Sequence, residues 1–350
     1  MPDSNPADQA TLRIIDANLN RVTEGLRVVE EHCRFGLNDR HLTARLKHLR
    51  HEVTAVVTGL GQAALLAARD TPRDVGTEVT AAGEFHRRTS RELVQANWQR
   101  VQQGLRVLEE YVKLLSAEGA ERLELLRYQT YTLAKGMYFS EDGQQRLQHA
   151  QLYVLIPAAD TEAIFLQLVD DLLAAEVDLI QLRDKHVDDR TLVARAKLLR
   201  QRTRGTKTLF VMNDRPDIAL LAEADGVHVG QEELSVADVR RVVGSEMFIG
   251  VSTHHIAQAR TAVLEGANYI GCGPTFSSST KAFAEFPGLA YLREVAAEIG
   301  LPAFAIGGIT VANVGDVVAA GMSRIAVSGG IVNASSIPAT AAEFRRVLGK

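Results

Sequence analysis

Cysteine is nearly absent: Cys33 and Cys272 are the only two in 350 residues, too few for a disulfide framework and without the paired spacing of a zinc site. A reducing compartment, the cytoplasm, is the expectation. No run of about 18 apolar residues is present to span a bilayer, and residues 1–6 have neither the basic nor the apolar region of a signal peptide. The chain is therefore expected to be soluble, not exported and without a membrane partner. An excess of one charge is missing too: 39 Lys+Arg against 43 Asp+Glu leave a formal charge of −4. Nothing overall points to nucleic acid, and any anion binding must be local. What is present, 46% hydrophobic and 23% charged residues, is the composition of packed cores, in a length that suits two domains.

The chain changes character near residue 150. From about residue 12 to 137 apolar positions recur at helical spacing with few Gly or Pro, which predicts an all-helical domain over 1–145. Inside it, Ala17-Asn18-Leu19-Asn20-Arg21-Val22-Thr23-Glu24-Gly25-Leu26-Arg27-Val28 returns as Ala96-Asn97-Trp98-Gln99-Arg100-Val101-Gln102-Gln103-Gly104-Leu105-Arg106-Val107, offset by 79 residues. Asn18, Arg21 and Gly25 share one helix face, as do Asn97, Arg100 and Gly104. Either the glycines let two duplicated helices cross closely, or the stripe is a paired anion or substrate site. The connecting loop 69–78 mixes Arg69 and Arg73 with acids and hydroxyls, and reads as a phosphate and metal loop or as a salt-bridged connection.

From residue 146 onward β-rich runs alternate with helical segments. Eight candidate strands, 152–156, 179–182, 209–212, 226–229, 248–251, 269–271, 303–306 and 324–327, predict a (β/α)8 TIM barrel over 146–350. An open doubly wound sheet is the alternative, weakened because no G-x-G-x-x-G turn follows the first strand.

In such a barrel the chemistry sits at the C-terminal strand ends. Strand 2 ends in Gln181-Leu182-Arg183-Asp184-Lys185, whose alternation brings Gln181, Arg183 and Lys185 to one side, and two of these are cations suited to an oligophosphate. Strand 3 ends in Asn213-Asp214-Arg215, and Glu233 follows strand 4. Asp214 and Glu233 are candidate Mg²⁺ ligands, since this ion takes one or two carboxylates plus phosphate oxygens. Asp225 and His228 are expected to be structural, one bonded to backbone and the other a satisfied core histidine. Strand 5 ends at Ser252-Thr253-His254. After strand 6 the run Ser277-Ser278-Ser279-Thr280-Lys281 can wrap a phosphate. Gly307-Gly308 and Ser328-Gly329-Gly330 follow strands 7 and 8, the recurrent phosphate position of this fold.

These residues, with Asp225-Gly226-Val227-His228-Val229-Gly230-Gln231, Gly273-Pro274-Thr275-Phe276 and Ile306-Gly307-Gly308-Ile309, resemble the thiamine-phosphate synthase family over nearly all of the second half. The resemblance implies an enzyme that joins hydroxymethylpyrimidine diphosphate to a thiazole phosphate, releasing pyrophosphate. It implies Gln181, Arg183, Lys185 and Asn213 on the pyrimidine diphosphate, Mg²⁺ on Asp214 and Glu233, and Ser252 and Lys281 against diphosphate and pyrimidine. Ser278, Ser279, Thr280, Gly308, Ser328 and Gly329 would surround the thiazole phosphate. Arg183, Lys185, Ser252 and Lys281 would carry catalysis. The chain departs from the family's usual pattern at Glu233, where Asp is common, at Ser277-Ser278, where Pro-Thr is common, and at Gly329, where Ser is common.

The helical half resembles the N-terminal domain fused to some bacterial synthases, which implies phosphorylation of hydroxymethylpyrimidine phosphate with ATP as partner. No P-loop accompanies it. The competing reading is a thiazole-phosphate tautomerase-like barrel carrying a non-catalytic regulatory or oligomerising helical module. Assembly as a homo-oligomer is a further expectation.

Overall fold

The structure, a computed structural model, describes residues 6–75, 86–277 and 286–349. Residues 76–78 of the arginine-rich loop lie outside the described residues. The chain divides into two compact units, Met1–Lys135 and Gly136–Lys350, whereas the sequence placed the change at about 145.

The first unit is built from α1 (Pro6–Glu31), α2 (Arg40–Thr58), α3 (Gln62–Ala68), α4 (Ser90–Val112) and the start of α5 (Ala117–Arg146). Asp39 and Thr89 cap α2 and α4 by accepting from Leu42 N and Glu92 N. The repeat proves to be a reciprocal crossing of α1 and α4. A Cβ on Gly25 would stand 2.8 Å from Val101 Cγ2, and one on Gly104 would stand 2.7 Å from Val22 Cγ2. Each glycine thus receives the valine of the other repeat. Asn18 and Asn97 donate from Nδ2 to the carbonyls four residues earlier, Ile14 and Leu93, at 2.9 Å each, so both amides are bound to their own helices while Arg21 and Arg100 face solvent. The close-crossing reading is therefore the one this geometry supports.

The symmetry extends to charge. Buried Glu30 accepts from Arg27 (3.3 Å) and from Arg50 of α2 (3.1 Å). Its counterpart Glu109, also buried, accepts from Arg106 and from Arg127 of α5, the latter at 2.8 Å. Removing one member of such a pair leaves an uncompensated buried charge. In the loop, Arg69 grips buried Asp16 with two bonds of 2.8 Å, and Arg73 pairs with Asp70 at 2.9 Å.

In the second unit eight parallel strands, β1 (Leu152–Ile156), β2 (Leu179–Leu182), β3 (Leu209–Asn213), β4 (Gly226–Val229), β5 (Phe248–Thr253), β6 (Tyr269–Cys272), β7 (Ala303–Ile306) and β8 (Ile325–Val327), form a closed barrel. Closure is visible at Tyr153, which registers with Leu179 on one side and Ala326 on the other. All eight strands read from the sequence are present, and the open-sheet alternative is excluded. Four of the barrel helices are capped at their N-termini by side chains, those of Thr161, Asp188, Ser235 and Ser336. Tyr153, Leu179, Val211, Phe248, Tyr269, Phe304 and Ala326 fill the barrel interior, joined by Leu147 and Ala150 ahead of β1.

Helix α5 continues through the polar stretch 140–145, which serves the barrel. Asn268, buried before β6, donates to Asp142 Oδ2 (2.8 Å) and accepts from Arg240 Nη2 (2.8 Å), and the Arg240 guanidinium lies 4.3 Å from the centre of the Phe139 ring. Among the described residues no helix is long and apolar enough to cross a membrane.

Candidate active site

Parallel closure turns all eight strands so that their C-terminal ends ring one cavity of about 1250 Å³, room for two small-molecule substrates. Every described candidate residue lines it. Gln181, Arg183 and Lys185 come from the end of β2, Asn213 and Asp214 from β3, Ser252 from β5, and Glu233 from the loop after β4. Gly308, Ser328 and Gly329 enter from the loops after β7 and β8. Ser278, Ser279, Thr280 and Lys281 lie outside the described residues.

The electrostatic centre is Lys185. Its Nζ sits 3.1 Å from Asp214 Oδ2 and 3.3 Å from Glu233 Oε1. Hydrogen bonding to Asp214, the largest effect, holds the ammonium above its usual range. Asp214 itself adopts φ +58°, with its N–H bonded to the His228 carbonyl at 2.8 Å. Aspartate is one of the residue types that adopts the left-handed region, and here it turns the chain at the end of β3. Since both carboxylates reach one ammonium, they converge on one point in space. That donor set, two carboxylates beside room for phosphate oxygens, fits Mg²⁺. Arg183 has no ion-pair partner among the described residues and faces the same cavity.

The opposite rim is made of backbone. Gly307 and Gly308 have φ of +99° and +65°, and a Cβ on either would fall 2.7 Å from Pro274 Cα or from the Ser277 carbonyl. Only glycine lets this loop lie against the loop after β6. Asn313 fixes it by donating to the Gly308 carbonyl at 2.9 Å. At Gly329 a Cβ would come within 3.3 Å of Asn333 Nδ2, so an amide stands beside the space that a serine side chain would enter.

Two expectations about structural residues meet different outcomes. Asp225 Oδ2 accepts from Phe210 N (2.8 Å) and Arg200 Nη1 (2.9 Å), holding β3 to β4 as expected. His228 is a satisfied buried histidine, yet it also lines the cavity and bonds to Ser252 Oγ at 2.9 Å. Gln231 and Tyr153 likewise escaped the sequence reading of the site. Gln231 donates to the Ser252 carbonyl at 2.6 Å, and Tyr153 bonds to Gln181 from inside the barrel. The motif containing Gln231 was visible in the sequence, but nothing marked Tyr153, which reads as a core strand residue.

A closed barrel with cations and carboxylates at the ends of β2 to β5 and glycine loops after β7 and β8 has the architecture of phosphate-handling (β/α)8 enzymes. Comparison with known proteins narrows the class. The thiamine monophosphate synthase family model matches residues 152–331, and the ThiD2 family model matches residues 13–136. A thiamine-phosphate synthase of Rhodopirellula baltica is 45% identical over 99% of this chain and 94% of its own, and one from Synechocystis is 43% identical over 91% and 90%. The solved thiamine phosphate pyrophosphorylase of Pyrococcus furiosus superposes with a TM-score of 0.52 at 30% identity, covering 58% of this chain and 97% of that one. The chain belongs to the thiamine monophosphate synthase family.

Proposed function

We propose that the barrel cavity condenses 4-amino-2-methyl-5-hydroxymethylpyrimidine diphosphate with 4-methyl-5-(2-hydroxyethyl)thiazole phosphate, giving thiamine monophosphate and pyrophosphate. The C–O bond between the pyrimidine methylene and the diphosphate breaks with its electron pair leaving on pyrophosphate. The thiazole ring nitrogen supplies the pair for the new C–N bond. No proton must be removed from the nucleophile, so the site needs no general base. It needs positioning and a stabilised leaving group.

The observation that carries this reading is the convergence of Arg183, Lys185, Asn213, Asp214 and Glu233 on one cavity whose other rim is a glycine cradle. In it, Gln181, Asn213 and Ser252 hold the pyrimidine diphosphate, and Arg183, Lys185 and Lys281 neutralise the departing pyrophosphate. Ser278, Ser279, Thr280, Gly308, Ser328 and Gly329 surround the thiazole phosphate. Asp214 and Glu233 would hold Mg²⁺, which when bound neutralises diphosphate oxygens. The ammonium of Lys185, held by those two carboxylates, faces the same cavity. A tautomerase would need the thiazole phosphate cradle but not this cationic cluster.

For the helical unit we infer a kinase that transfers the γ-phosphoryl group of ATP to hydroxymethylpyrimidine phosphate, yielding the diphosphate used by the barrel. The ThiD2 match over 13–136 supports it. The two buried thiols, Cys33 and Cys272, which form no disulfide, suit a reducing cytoplasm. One assay tests both activities. Purified chain with the diphosphate, thiazole phosphate and Mg²⁺ should form thiamine monophosphate without ATP, and the monophosphate should support product only when ATP is added. Product absent from the first mixture overturns the synthase, and product absent from the second overturns the kinase.

A further inference from the structure

Five of the eight strands contribute to a single hydrogen-bond chain across the barrel interior. Gln181 Nε2 on β2 donates to Tyr153 Oη on β1. Tyr153 and Tyr269 on β6 share a bond of 3.0 Å between their hydroxyls, Tyr269 reaches His228 Nδ1 on β4 at 2.9 Å, and His228 Nε2 reaches Ser252 Oγ on β5 at 2.9 Å. Gln181, Tyr153, Tyr269 and His228 are all buried. The rings have room because the facing positions are glycine: Gly250 lies against Tyr269, and Gly271 lies 3.3 Å from the His228 ring by its missing Cβ.

With Gln181 Nε2 as the donor Tyr153 accepts there, and the arrangement that uses every group along the chain has Tyr153 donating to Tyr269. Tyr269 in turn donates to Nδ1 of His228, which must be bare. The single proton of the neutral ring is then on Nε2 and is donated to Ser252, whose own hydroxyl proton remains for the cavity. At the other end Gln181 Oε1 is buried and has no hydrogen-bond partner among the described residues, while Gln181 itself lines the cavity.

We propose that His228 is a positioning residue which, through Tyr269 and Tyr153, ties Ser252 and Gln181 into one polarised chain that presents a donor at Ser252 Oγ and an acceptor at Gln181 Oε1, and thereby selects a 4-aminopyrimidine. This rests on the reading that Ser252 and Gln181 hold the pyrimidine. An aminopyrimidine offers an amino N–H beside an unprotonated ring nitrogen, the complement of that pair. A 4-oxopyrimidine offers the reverse pattern and would leave both buried groups opposed to it, the kind of mismatch that discriminates strongly.

The test measures kcat and KM of the full chain for the aminopyrimidine diphosphate and its 4-oxo analogue. Wild type should prefer the amino form by at least about 100-fold. His228→Leu should raise KM for it by about tenfold, with a smaller change in kcat, and narrow the preference. His228→Gln, which keeps a donor near Ser252, should recover part of the loss. On a Ser252→Ala background His228→Leu should cost less than about twofold further, because its effect runs through Ser252. Equal losses on both backgrounds, or an unchanged preference for the amino form, would overturn the proposal. If His228→Leu does not fold, Tyr269→Phe replaces it with the same expectations. Nitrogen NMR of histidine-labelled protein should show His228 protonated on Nε2, and protonation on Nδ1 would reverse the polarity and refute it. Should Ser252→Ala and Gln181→Ala both leave KM unchanged, the underlying reading of the pyrimidine site fails, a result distinct from failure of the chain alone.

Discussion

The helical unit and the barrel use polar residues in opposite ways. In the helices, Arg21 and Arg100 of the repeat face solvent, and the other polar groups are bound to the protein: Asn18 and Asn97 to their own helix carbonyls, Glu30 and Glu109 to pairs of arginines, Arg69 to Asp16. In the barrel, the strand-end groups face a cavity, and among the described residues Gln181 Oε1 lacks a partner and Lys185 is held by two carboxylates that fit a metal. Helix packing brings side chains together along the helix flanks, where they satisfy one another. Barrel closure instead gathers strand ends into a ring wide enough that its members cannot all meet, and a ligand completes them.

The largest effect should come from breaking the barrel's side of that contrast. Lys185→Ala or Asp214→Ala should lower synthase kcat/KM by about 100- to 1000-fold, through lost stabilisation of the leaving group. The melting temperature should stay near that of wild type, because neither side chain belongs to the core. Near-normal turnover in steady-state assays would remove the functional role given to them.

The next prediction concerns a polar group inside the barrel. Burial, the largest effect, pushes the folded pKa of His228 down to about 4 from its ordinary value of 6.5. Between those values the unfolded chain binds a proton that the folded chain does not, so stability falls as pH drops from 6.5 toward 4. The full difference amounts to about 3 kcal/mol. Arg183 and Glu233 act on this histidine in opposite senses and are common to wild type and variant. Urea unfolding at pH 7 and pH 4.5 should show a smaller pH loss in His228→Gln than in wild type, and equal losses would refute it.

On the helical side, substitution at the crossing should affect stability and spare the barrel. Gly25→Leu or Gly104→Leu drives a side chain into Val101 or Val22 and should destabilise the first unit by about 2 kcal/mol, seen in denaturant melts. Synthase activity should stay within about twofold of wild type. The smallest effect is expected at Gly329→Ser, where the neighbouring Asn333 amide needs to move only a few tenths of an ångström. KM for the thiazole phosphate should change by less than about fivefold, the worth of one ordinary hydrogen bond.

Much of the barrel was legible because its signals are local. Short β-rich runs separated by helical periodicity mark each strand, and functional groups fall at strand ends that the topology makes adjacent, as with Asp214 and Glu233. The repeat in the helices was equally plain, since 79 residues separate identical letters. Its meaning was not, because the same Asn and Gly letters serve a tight crossing or a binding stripe until their partners are known. The end of α5 shows the same dependence on partners: the polar run 140–145 continues the helix, and its Asp142 serves Asn268.

By itself, then, the sequence determined the two classes of local structure, the order of the strands and the residue types at their ends, since periodicity and strand termini depend only on near neighbours. Tertiary structure alone decided that Gly25 and Gly104 exchange places with each other's valines, and that Tyr153 and Tyr269, 116 residues apart, share a bond that ends at Ser252. Such contacts depend on which side chains a closed barrel or a helix crossing brings face to face, and no local pattern encodes that meeting.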